Sequence, residues 1–164
     1  MPLVFDSTPG GSAANSYASV SEASTYFDAR RNADAWAGAS NADRELALCA
    51  AAQRLEQLDF KGAREASTQR LKWPRSGVCV DGVDVAGTVP DVVKFAQCEL
   101  ALELLNAGTT DPLAETGLEA FAALSLGAID LRVAPRVAGA LSPQVARIVR
   151  PVLAAARGTR LVRG

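Results

Sequence analysis

Residues 88–105, "TVPDVVKFAQCELALELL", decide the fold. Val93, Ala96, Leu100 and Leu104 recur at helical spacing, and Val92, Phe95, Leu102 and Leu105 widen the apolar face. Pro90 followed by Asp91 predicts a helix start with proline in the first turn, and Asn106-Ala107-Gly108 predicts its end. A helix apolar over so much of its surface needs neighbours on several sides. It should be the central, most buried member of a bundle.

The helices that would surround it can be read on either side. Upstream, Ser19 and Glu22 form a capping box, and Val20, Ala23 and Phe27, with Tyr26 alongside, mark one face of a helix running to about residue 32. Trp36 follows in a less regular segment. Ser40, with Asp43 three residues on, opens the clearest amphipathic helix, carrying Leu48, Ala51, Ala52, Leu55 and Leu58 on one side. Downstream, Ser142-Pro143 starts a last helix with Val145, Ile148, Val149, Val152 and Leu153 apolar. Pro151 should kink or split it, and Gly158 should stop it, leaving "TRLVRG" as a tail.

Between the second and central helices lies a connection of unusual length, residues 59–89, holding Gly62, Gly77, Gly82 and Gly87. Ordered loops this long tend to serve a function. Within it, Asp81-Gly82 predicts a small hairpin, and "LKWPRSGV" (71–78) reads as a pinned corner. There Trp73 supplies a large apolar anchor, Pro74 fixes the backbone and Gly77 permits a turn. A weak alternation in "LSLGAIDLRVAP" predicts a short β-hairpin within 122–135. The expected architecture is mainly α: about four helices, a long ordered loop, a short hairpin and an extended C-terminal arm. Residues 1–141 would form the body and 142–164 the last helix and tail.

Composition agrees with this fold class. Hydrophobic residues make up 49% of the 164 but aromatic ones only 5%, so alanine and leucine supply most of the core. That balance favours closely approaching helices over a β-sandwich. No run of about 18 apolar residues suggests a membrane span, and "MPLVFDSTPGGS" lacks the pattern of a secretory signal. Cys49, Cys79 and Cys98 lie far apart without metal spacing, which suggests free thiols and a reducing compartment.

The sequence gives catalysis little to work with. There is no histidine, and no phosphate-cradling or nucleophile motif is present. Asp81 and Asp84 could hold a metal in principle, but they read better as solvated loop acids. We expect no enzyme activity and no cofactor. Charge is more informative. Residues 1–131 hold ten Lys and Arg against all 18 Asp and Glu, a net −8. Residues 132–164 hold seven arginines and no acid, a net +7. An acidic body with a basic arm should place that arm on an anionic surface. Nucleic acid is one candidate, with Arg30 and Arg31, and with Arg70, Lys72 and Arg75 around a stacking Trp73, although the acidic body opposes it.

Five stretches in order, "NSYASVSEASTYFDAR" with Trp36 after it, "LCAAAQRLEQ", "LKWPRSGV", "TVPDVVKFAQCELALELL" and "RLVRG", cover most of the chain. In that order and spacing they resemble the head-to-tail connector (adaptor) proteins of long-tailed double-stranded DNA bacteriophages. Members of that group are often labelled DnaT-like single-stranded DNA-binding proteins. The resemblance implies a mainly helical virion protein, assembled in the host cytoplasm, forming a ring of twelve copies beneath the portal. Double-stranded DNA would pass through the ring without specific binding. Its partners would be the portal, its own neighbouring copies and the next neck or tail-completion protein, with no membrane involved. Docking on the portal falls to Arg157, Arg160, Leu161, Val162 and Arg163, and Arg75 would point to a neighbour or an acidic partner. A DnaT-like single-stranded DNA-binding replication module is the alternative.

Overall fold

The computed structural model describes residues 3–108, 123–126, 129–132 and 141–154. Its centre is α4, Asp91–Asn106, with Val93, Ala96, Leu100 and Leu104 fully buried. Pro90 is the N-cap of α4 and does not enter its first turn, having extended backbone angles of φ −65° and ψ 149°. A cap position makes no use of the N–H that proline lacks.

Four helices pack on α4, and three of them are those that the apolar periodicity marks. α1, Val20–Asp28, begins with the predicted capping box: the Glu22 amide donates to Ser19 Oγ, and the Ser19 amide donates to Glu22 Oε2 at 2.8 Å. It ends about one turn earlier than the sequence pattern suggests, and Asn32 sits in the left-handed region at φ 62°. α3, Asn41–Leu55, is capped by Ser40 and buries Ala47, Leu48, Ala51, Ala52 and Leu55 against α4. α5, Pro143–Val149, starts from a Ser142 cap and adds Val145 and Val149 to the same core. We expect Ser19→Ala to cost about 1 kcal/mol in chemical denaturation, because the Glu22 amide in the first turn loses its Ser19 Oγ acceptor.

A fifth helix escaped the periodicity. α2, Asp34–Gly38, is one turn long and serves to bury Trp36 against Phe27, with ring centroids 4.9 Å apart. The Arg44 guanidinium lies 5.5 Å over the Trp36 ring and donates to the Trp36 carbonyl at 2.9 Å. The last helix is interrupted. α5 gives way to a 3₁₀ turn, Arg150–Val152, and Leu153 is already extended, so the helix is split at Pro151; the stop expected at Gly158 lies outside the described residues. Pro151 cannot donate the next helical hydrogen bond, and the chain leaves the axis there. Leu153 bridges to Phe60, while the Lys61 amide donates to Val152 O (2.9 Å) and the Ala154 amide to Asp59 O (2.8 Å).

The strands are three short antiparallel pairs among the described residues. β1 (Ala63–Arg64) pairs with β2 (Arg75–Ser76), and β3 (Cys79–Val80) pairs with β4 (Val83–Asp84). The β3–β4 turn is Asp81-Gly82 with both φ values positive, 50° and 82°, as a tight hairpin of this sequence requires. β5 (Ala123–Leu126) and β6 (Ile129–Arg132) form the hairpin expected within 122–135, with Leu126 opposite Ile129.

One polar side chain ties the bundle to its lead-in. Gln97, fully buried on α4, accepts from the Tyr17 and Ala18 amides at 3.0 and 2.9 Å. Its amide nitrogen donates to Ser16 Oγ (2.7 Å) and to Leu48 O on α3 (2.8 Å). All four of its hydrogen-bonding positions are filled.

Candidate functional site

Two places gather the side chains that could carry function: the corner at 71–78 and a groove between α1 and α4.

The corner is built inward. Trp73 is 1% exposed and meets Phe60 edge-on, with centroids 5.7 Å apart. The peptide bond between Trp73 and Pro74 is cis. Gln69, also buried, donates to the carbonyls of Leu71 and Pro74 and accepts from the Ala66 amide, so it holds the turn from inside. Arg75 is half-buried and directed at its own chain. Nε donates to Lys61 O and Nη2 to Gly62 O, both at 2.6 Å, and Nη1 reaches Lys72 O at 3.2 Å. Burial presses its pKa below the ordinary arginine value. Lys72 Nζ donates to Leu58 O at 2.7 Å, and its amide donates to both Glu56 oxygens. Glu56 also accepts from Tyr17 Oη, and burial, followed by the nearby Glu56 charge, pushes the Tyr17 pKa far up. The stacking platform considered around Trp73 therefore has no exposed ring.

Glycine is required at this corner for two different reasons. Gly77 needs the left-handed φ of 72° in an open setting. Gly62, at φ 70°, would place a Cβ 2.1 Å from the Ser76 carbonyl oxygen, so its side also has no room. Gly62 was visible in the sequence only as a loop glycine.

The groove is about 670 Å³ and runs along α1 and α4. Tyr26 and Phe95 stack in its wall, 4.8 Å apart, and Phe95 remains 39% exposed. Lys94 pairs with Glu22 at 2.5 Å, and Arg30 pairs with the buried Glu99, which also accepts from Tyr26 Oη at 2.5 Å. Partial burial pushes the Glu22 carboxyl up, but Lys94 and Ser19 outweigh it and hold it below its ordinary value. Cys98 lies beneath, its thiol pushed up by burial to about 12, so it stays protonated. The sequence pattern puts Tyr26 on the first helix and Phe95 on the apolar face of the central one, with nothing to bring the two together.

Of the other singled-out residues, Asp84 caps its own turn through the Ala86 amide, and Asp81 occupies the β3–β4 turn. No group of three or more His, Cys, Asp or Glu side chains among the described residues could hold a metal. Among them, too, no helix is long and apolar enough to cross a membrane. Arg31 and Arg70 are exposed, and Arg70 Nη1 reaches Ala13 O at 3.4 Å. Arg157, Arg160, Leu161, Val162 and Arg163 lie outside the described residues.

A helical body with one long stapled loop and paired surface charges thus defines the class. The whole chain, residues 1–164, matches the profile of a family described as "Putative DnaT-like ssDNA binding protein", and the chain belongs to that family. Neither a curated protein nor a solved structure matches it.

Proposed function

We propose that this protein is a non-catalytic head-to-tail connector of a tailed bacteriophage, forming a ring under the portal through which the genome passes. The observation that carries this reading is the closed corner. Trp73 shows no face to solvent, and the cations beside it in sequence are engaged internally, Lys72 with the Leu58 carbonyl and Arg75 with carbonyls of its own loop. With residues 1–131 at −8, such a body suits a passage that DNA slides through without sticking. The virion neck is the proposed location, with assembly in the host cytoplasm. The portal, neighbouring copies in a ring of twelve and the next neck or tail-completion protein are the proposed partners. Contacts of this head-to-tail kind close into rings when the rotation allows.

In this reading the C-terminal tail docks on the portal. Arg157, Arg160 and Arg163 would pair with carboxylates, and Leu161 and Val162 would fill a cleft between portal subunits. Deleting residues 159–164 should leave helicity and melting nearly unchanged while abolishing ring assembly on purified portal, as seen by electron microscopy. A truncated protein that still decorates portal at normal occupancy would remove the tail from this role. A single copy per portal would remove the ring.

The family description favours a second reading, binding of single-stranded DNA. It predicts micromolar or tighter affinity for an oligothymidine near physiological salt, unaffected by loss of the tail. The connector reading expects weak binding that disappears as salt rises.

A further inference from the structure

The α1/α4 groove has no role in the reading above, yet it keeps Phe95 exposed beside a stacked Tyr26. Its two cations are already neutralised, Lys94 by Glu22 and Arg30 by Glu99. Asp91, exposed in the first turn of α4, also lines it and makes no ion pair among the described residues. What remains is an apolar wall with surplus negative charge. A nucleic acid would bring phosphates to Glu22 and Asp91 and gain no free cation. The complementary occupant is an apolar segment flanked by positive charge.

The chain carries such a segment itself: Leu161 and Val162 between Arg160 and Arg163, with Arg157 four residues before Leu161. Its root lies at the right end of the bundle. Ser142, at the start of α5, donates to Glu103 near the C-terminal end of α4, so α5 runs back toward the N-terminal end of α4. The 3₁₀ turn that follows packs on β3, and Val80 of β3 shares a hollow of about 370 Å³ with Asp91. The ten residues after Ala154 can span up to about 33 Å when extended.

We propose that residues 155–164 of the same molecule lie in the α1/α4 groove of the free protein, with Leu161 and Val162 against Phe95 and Tyr26 and an arginine beside Asp91. The inference rests on the groove and the tail alone and does not need the connector reading. If that reading holds, the portal would compete with the groove for one segment.

Amide and side-chain NMR of the full chain tests it against the full-length double variant Leu161→Asp, Val162→Asp. The variant should shift the signals of Tyr26, Ala29 and Phe95 beyond their linewidths and leave the core signals of Leu48 and Leu100 in place. Those groove signals should be unchanged when the native protein is diluted fifty-fold. Coincident groove signals in the two proteins would overturn the proposal. Loss of the native shifts on dilution would also overturn it, by assigning the groove to the tail of a second copy. So would displacement by micromolar oligothymidine at physiological salt, which would make the groove a nucleic-acid site.

Discussion

Trp73→Ala is expected to lower stability by about 3–5 kcal/mol, the usual cost of truncating a buried tryptophan. For a chain of this size that corresponds to a fall in melting temperature of roughly 6–20 °C. The physical reason is specific to this corner. Trp73 is 1% exposed and closes on Phe60, which in turn bridges to Leu153. The lost side chain leaves a void beside Phe60, where the long loop meets the segment that follows the 3₁₀ turn. Trp73→Phe should recover part of the loss, since Trp73 Nε1 makes no hydrogen bond and packing is all the ring contributes. Thermal melting followed by far-ultraviolet circular dichroism checks both variants. An unchanged midpoint in Trp73→Ala, together with lost binding to oligothymidine, would turn the corner into a base-stacking site.

Gln97→Leu should cost about 3–5 kcal/mol despite putting an apolar side chain of similar size into the core. The substitution removes the acceptor for the Tyr17 and Ala18 amides, both in buried residues, and the donor to Ser16 Oγ. Each buried amide left without a partner costs about 1–3 kcal/mol. Hydrogen exchange separates this mechanism from simple misfit. The amides of Tyr17 and Ala18 should lose protection before those of Leu100 and Leu104. If all four retain native protection and the melt is unchanged, the lead-in is held by its apolar contacts alone.

These two residues also show how far the sequence could be read. The periodicity of α1, α3, α4 and α5 was legible because their apolar positions repeat over two or more turns. α2 was not, because a single turn cannot display a period, and only the burial of Trp36 gives it away. The Asp81-Gly82 hairpin was legible because few dipeptides accept two positive φ values. Gln97 was not, because glutamine on a helix normally faces water, and its partners at 16–18 and 48 are far away in sequence. Trp73, Pro74 and Gly77 read correctly as a corner. The destination of Arg75 did not follow from sequence, since its partners are backbone carbonyls at 61, 62 and 72, and a carbonyl exists at every position. Tyr26 and Phe95, 69 positions apart, became one wall only when α1 was laid along α4.

The clasp between residues 59–61 and 151–154 has a mechanical consequence. Three contacts join the two strands of chain: the Lys61 amide to Val152 O, the Ala154 amide to Asp59 O and Lys61 Nζ to Pro151 O at 2.8 Å. A pull on anything beyond Ala154 reaches these bonds before it reaches α5. They share the load, so they must give way nearly together, and the force passes into the root of the stapled loop that Arg75 and Trp73 hold. A tail tethered to a moving neighbour would therefore tug on the corner that Arg75 and Trp73 hold before it loads α5.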